Sequence, residues 1–124
     1  TPSDLVEGVS HGIDMFDCVI PTRNARNGQL FSLKGPINIK NSTYSDDHSV
    51  IDKFSNSAMS KTFTKSYLHH LFKTKEILGL RIATEHNLHF YFELMAEMRN
   101  QIQNNNFMEW SKTFINDYER GVNE

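Results

Sequence analysis

Gly12-Ile13-Asp14-Met15-Phe16-Asp17-Cys18-Val19-Ile20-Pro21-Thr22-Arg23-Asn24-Ala25-Arg26-Asn27-Gly28 is the stretch whose reading sets the fold. Residues 14–20 are mostly apolar and read as a short strand, which Pro21 ends by withholding a ladder donor. Ahead of it, Thr1-Pro2-Ser3-Asp4 has the character of a helix start: proline loses no needed bond in the first turn, and the acid lies beside free amides. Leu5, Val6, Val9 and Ile13 supply that helix's buried side, and Gly12 ends it. Helix, tight turn and buried strand make one repeat of an α/β fold.

Asp17 interrupts a segment that otherwise favours burial, where an ionised carboxylate is costly unless paired or exposed at a site. It could be a nucleophile toward a sugar carbon, or a helix cap or salt-bridge acid; spacing alone favours the structural roles. Asp14 reads as a turn acid near Gly12. Residues 21–28 read as a polar loop. Its Arg23 and Arg26 carry fork-shaped donors suited to phosphate or base edges, although a solvated loop explains them as well. Cys18 should point to the opposite face of the strand from Asp17, as a buried spacer rather than a reactive thiol.

Working outward, the chain has 124 residues, 38% of them hydrophobic, enough for one modest core and too few for a complete eight-fold barrel of roughly 250 residues. Thirteen Lys+Arg against fifteen Asp+Glu leave a net charge of -2, so any nucleic-acid contact must be local. The single cysteine excludes an internal disulfide and fits a reducing compartment. With no apolar run of about 18 residues and no positive-then-apolar leader, a cytoplasmic protein without a membrane partner is expected.

Residues 29–33 and 36–39 read as two short strands joined around Lys34-Gly35, a hairpin. Residues 41–60 show little periodicity and are long for a structureless loop. Thr62 is a candidate cap for a helix through Phe63, Tyr67, His70 and Leu71. Thr84 is a candidate cap for a longer one carrying Leu88, Tyr91, Met95, Met98 and Ile102. After Asn104-Asn105-Asn106, the residues Phe107, Trp110, Phe114 and Tyr118 mark a last helix. The division expected is a terminal strand, helix and hairpin over residues 1–40, then a second region and C-terminal helices over residues 41–124.

The run from Gly12 to Gly28, with Asp4-Leu5-Val6-Glu7-Gly8 before it and Tyr67-Leu68-His69-His70-Leu71, Glu76-Ile77-Leu78-Gly79 and Glu85-His86-Asn87-Leu88 after it, closely resembles the C-terminal third of bacterial tRNA-guanine transglycosylases, the queuine tRNA-ribosyltransferases. The resemblance implies the C-terminal fragment of a (β/α)8 TIM barrel. It implies a glycosyltransferase lineage of tRNA modification and queuosine biosynthesis, whose enzymes exchange a wobble-position guanine for a queuine precursor. Asp17 falls on the aspartate that attacks the ribose C1′ and holds the tRNA covalently. Arg23 and Arg26 fall on tRNA-binding positions. The second essential aspartate and the guanine-reading residues come from earlier strands that this sequence does not hold, so inactivity of the chain alone is expected.

The family also implies a zinc subdomain with a Cys-x-Cys-x2-Cys pattern and a downstream histidine. In that register stand Ser55, Ser57 and Ser60, with His86 retained. Neutral hydroxyls replace thiolates poorly, so zinc is expected to be absent, His86 is expected to be an ordinary helix-start histidine, and residues 41–60 are expected to be loose. His69, His70, His86 and His89 have no spacing that selects a histidine metal site. Phe63, Tyr67 and His70 match an aromatic cluster of the family's homodimer interface and Glu85 an interface acid; the residues themselves favour a core face for the first three. Three readings follow. The leading one is a truncated or degenerate homologue. The others are one subunit of a split enzyme, needing a separate N-terminal barrel polypeptide, and a non-catalytic tRNA-binding or interaction module. Unpaired barrel edges would favour association.

Overall fold

The computed structural model describes residues 2, 6–7 and 19–123, with side chains at 2, 6, 7 and 22–120. In order these form helix α1 (Val19–Arg26), strands β1 (Gln29–Leu30) and β2 (Ile37–Asn38), a 3-10 turn (Ser42–Tyr44), and helices α2 (Ala58–Thr62), α3 (Lys65–Lys73), α4 (Ile77–Gln103) and α5 (Phe107–Asn123). The class is α/β, with a two-stranded antiparallel sheet among several helices. Pro2, Val6 and Glu7 are helical, in keeping with an opening helix. The Gly12 stop, Asp14, Asp17 and Cys18 lie outside the described residues.

The expected strand over residues 14–20 is corrected at its end, because Val19 and Ile20 are helical and residues 21–26 continue α1 instead of forming a loop. Pro21 is no breaker here. The helix runs through it to Arg26. The hairpin stands in shorter form, with Gln29 opposite Asn38 and Leu30 opposite Ile37. Its turn places Gly35 at φ 104, a conformation open to glycine.

Two helix starts move. Thr64, not Thr62, caps α3 and accepts from the Tyr67 amide; Thr62 ends α2. Thr84 lies inside α4, which begins at Ile77. The signal missed was the turn Thr74-Lys75-Glu76, where Lys75 takes φ 59 and the Glu76 amide donates back to the Leu71 carbonyl at 2.9 Å, closing α3 just before α4 opens. Tight helix packing follows. A Cβ on Gly79 would stand 3.0 Å from the Leu71 Cβ. The asparagine run turns α4 into α5 as its composition suggests, with Asn105 at φ 55.

α4 is the spine, touching α1, β1, α2, α3 and α5. One apolar cluster joins Val6 and Phe31 to Phe90, Leu94 and Met98 of α4 and Phe107, Phe114 and Tyr118 of α5. The other joins Ala25, Leu30, Ile39 and Ile51 to Leu68, Leu71, Ile82 and Ala83. Both clusters draw on residues before and after position 40. Residues 41–60 are also better tied than expected: Asn41 caps the 3-10 turn, Asp47 and Asp52 accept from amides two residues on, and Val50 bridges Thr64. No helix among the described residues is long and apolar enough to cross a membrane.

Candidate functional site

Two sets of residues singled out in the sequence meet the long helix. The first is on α1. Helical geometry puts Arg23 and Arg26 three residues apart on one face, and both are exposed, while Ala25 between them is fully buried. α1 packs on α4 and β1, so the buried alanine anchors the helix and the guanidinium forks face solvent. The loop expected at these positions is thus a packed helix that carries both guanidiniums on one exposed face.

The second is a buried polar cluster. Ser55, Ser57, Ser60 and His86 are all at most 5% exposed. The Ser60 Oγ lies 2.8 Å from the His86 Nδ1, and the His86 Nε2 lies 2.7 Å from the Phe31 carbonyl oxygen. A carbonyl can only accept, so Nε2 carries the proton; in the neutral ring Nδ1 is then bare and accepts from the Ser60 hydroxyl. The Ser57 amide donates to the Ser55 Oγ at 3.0 Å, whereas the Ser57 hydroxyl is buried with no hydrogen-bond partner among the described residues.

Next to His86, the Asn87 side chain completes a clamp that the sequence reading missed. Its Oδ1 accepts from the Phe31 amide at 3.1 Å and its Nδ2 donates to the Gln29 carbonyl at 2.9 Å. Donation to one residue and acceptance two residues on is the pattern a single residue makes in a parallel ladder, so one side-chain amide stands in for a neighbouring strand. His86 extends the pairing by one carbonyl. The edge of β1 turned away from β2 is therefore covered by side chains of α4. His86 is also no helix-start residue; it sits mid-helix and fully engaged. The signal available was the polar pair His86-Asn87 on a helix face otherwise lined by Ile82, Ala83 and Phe90.

The donor set does not fit zinc. Three neutral hydroxyl oxygens accompany one imidazole nitrogen that already accepts from Ser60, and among the described residues no group of three or more His, Cys, Asp or Glu side chains could hold a metal ion. The Ser60–His86 spacing is that of a nucleophile and its base, yet Ser60 is 0% exposed, which bars a substrate. Burial lowers the pKa of His86; the Phe31 hydrogen bond and the carboxylates of Asp52 and Glu93 oppose the shift, and His89 adds to it. The unfolded chain thus takes up the proton first. Stability should be level above about pH 6.5 and fall as pH drops below it, until the folded ring also protonates. Thermal melting between neutral and mildly acidic pH, with His86→Gln as control, checks this; equal slopes for the two proteins would contradict it.

The remaining candidates separate. Phe63 is half-buried with its ring centroid 5.3 Å from that of Tyr67, while Tyr67 and His70 are exposed. The core-face reading is corrected for Tyr67 and His70, while Phe63, at the end of α2, does pack against the cluster that holds Leu68 and Leu71. Glu85 is 3.6 Å from the His89 Nε2. The His69 Nδ1 donates to the Ile39 carbonyl at 2.7 Å.

A family model described as queuine tRNA-ribosyltransferase matches residues 1–120. Among curated relatives, the queuine tRNA-ribosyltransferase of Francisella tularensis subsp. mediasiatica is 54% identical over 118 residues, 95% of this chain and 32% of the relative. That of Herminiimonas arsenicoxydans is 53% identical over 122 residues, 98% of this chain and 32% of the relative. The chain spans about a third of the length of the curated relatives it matches.

Proposed function

Starting from the fact that this chain belongs to the queuine tRNA-ribosyltransferase family, we propose that it is the nucleophile-bearing, RNA-facing portion of a transglycosylase that exchanges guanine for a queuine precursor at the tRNA wobble position, and that these 124 residues do not carry out the exchange alone. The single observation that supports this most is the exposed Arg23/Arg26 face of α1, a helix that opens two residues after Asp17. In this reading Asp17 attacks the ribose C1′ as guanine leaves, the ribosyl group rests on the carboxylate, and an incoming base takes it back. The arginines hold flanking phosphates. The resemblance assigns base reading and the second acid to strands outside this sequence, so the carboxylate lacks the positioned substrate that would make it effective. In fold, the chain is read as the C-terminal fragment of a (β/α)8 barrel, residues 1–40 giving its last strand, helix and hairpin and residues 41–124 the appended region.

Incubation with tRNA and labelled guanine should give no incorporation above that of Asp17→Asn. Turnover by the wild-type polypeptide would defeat the second half of the proposal. Binding to tRNA should weaken with added salt, and Arg23→Gln or Arg26→Gln should each lower the slope of log affinity against log salt by about 1. Unchanged slopes in both variants would remove α1 from the RNA surface. Because the matched relatives are longer, a second reading is complementation: addition of a polypeptide carrying the preceding barrel strands should restore incorporation. For a complete assembly, the exposed Tyr67 and His70 beside Phe63, with Glu85, are read as a face toward a second copy.

A further inference from the structure

Two stretches distant in sequence converge on His86 in the middle of α4: α2, through Ser60, and Phe31, the residue that follows β1. A junction of that kind needs something to bind its arms together. Here the bonds run in one direction, from the Ser60 hydroxyl to the bare Nδ1 and from the Nε2 proton to the Phe31 carbonyl, and every step has a matched donor and acceptor. The Ser60 carbonyl is used as well, accepting from the Asp52 amide at 2.9 Å, so the arm is fixed at both backbone and side chain. Asn87 holds the same strand beside it. Against this, the Ser57 hydroxyl contributes nothing, being buried and unpartnered among the described residues.

We propose that the Ser60–His86–Phe31 relay is a metal-independent joint, which ties the residue 55–60 segment to the β1 edge by hydrogen bonds alone and in which Ser60, not Ser57, is the working hydroxyl. The residue types make the joint indifferent to zinc: a serine that donates to Nδ1 occupies the lone pair a metal would need, and its oxygen carries no charge to attract one. Thiolates in the same cradle would reverse that preference.

The test uses the full chain. Its melting temperature should be the same with excess zinc and with EDTA. Ser60→Ala should lower it by roughly 5 °C, by leaving a buried imidazole nitrogen unpaired, and Ser57→Ala should leave it unchanged or raise it. Proton–nitrogen NMR should find His86 protonated at Nε2 and bare at Nδ1, an arrangement readable without any variant. Ser55→Cys/Ser57→Cys/Ser60→Cys should take up about one zinc per chain and lose stability on chelation. A zinc-dependent melting point in the wild-type chain, an Nδ1-protonated His86, equal losses at Ser57 and Ser60, or a triple cysteine variant blind to zinc would each overturn the proposal.

Discussion

Asn87→Ala is expected to lower the melting temperature by roughly 10 °C, the larger part of what a single side chain outside the apolar core can do. The substitution empties part of a fully buried site and, above all, strands two backbone groups. The Phe31 amide, on a residue 0% exposed, loses its acceptor, and the Gln29 carbonyl loses its donor. Each orphaned group costs about 1–3 kcal/mol, so a loss on the order of 3 kcal/mol follows, at about 4 °C per kcal/mol for a chain of this size. Asn87→Asp makes the argument directional. It keeps an acceptor for Phe31 but turns a carboxylate oxygen toward the Gln29 carbonyl, so it should be at least as damaging despite its closer shape. Thermal denaturation of the three proteins decides the matter; an Asn87→Asp protein as stable as wild type would show that the Gln29 bond has no energetic weight. α1 leads into β1 through Asn27 and Gly28, so in the reading proposed above, with α1 on the RNA surface, a loosened β1 edge should also weaken tRNA binding without removing a positive charge.

Phe31→Ala should cost more, about 3–5 kcal/mol, from the same position by a different route. The ring is fully buried, lies 5.3 Å from that of Tyr91 in an edge-on arrangement and 6.3 Å from that of Phe90, and belongs to the cluster that joins α4 to α5. Truncation forfeits its transfer energy and leaves a cavity against helices that are locked elsewhere. Phe31→Leu keeps most of the apolar volume and should lose only on the order of 1 kcal/mol. Equilibrium denaturation in urea separates these outcomes. Equal losses for Phe31→Ala and Phe31→Leu would mean that the edge-on contact with Tyr91, not volume, sets the cost.

Elements held by local bonds are legible in the sequence, and those held by distant bonds are not. The hairpin around Gly35, the asparagine turn and the aromatic periodicity of α5 were readable because each depends on residues within a few positions of one another. The start of α4 was not, since Thr84 looks like a cap until the Lys75 turn is seen to have closed the previous helix. Pro21 is a second case: read locally it ends a strand, whereas the described residues on both sides of it are helical. The four positions 55, 57, 60 and 86 could be grouped from the resemblance, and they do lie together buried. What those residues do instead of holding metal was invisible, because the acceptors of His86 and Asn87 are backbone atoms more than fifty residues away. For Asp17 the sequence remains the whole basis of its role.

Hydroxyls at positions 55, 57 and 60 also change how this molecule meets an oxidising environment. Thiolates gathered around a metal are the first atoms peroxide attacks, and their conversion to sulfenic acid or disulfide expels the ion and the structure with it. Serine oxygens have no such ladder to climb. The chain keeps one cysteine, Cys18, so an oxidant that would dismantle a thiolate centre finds here a junction it cannot touch.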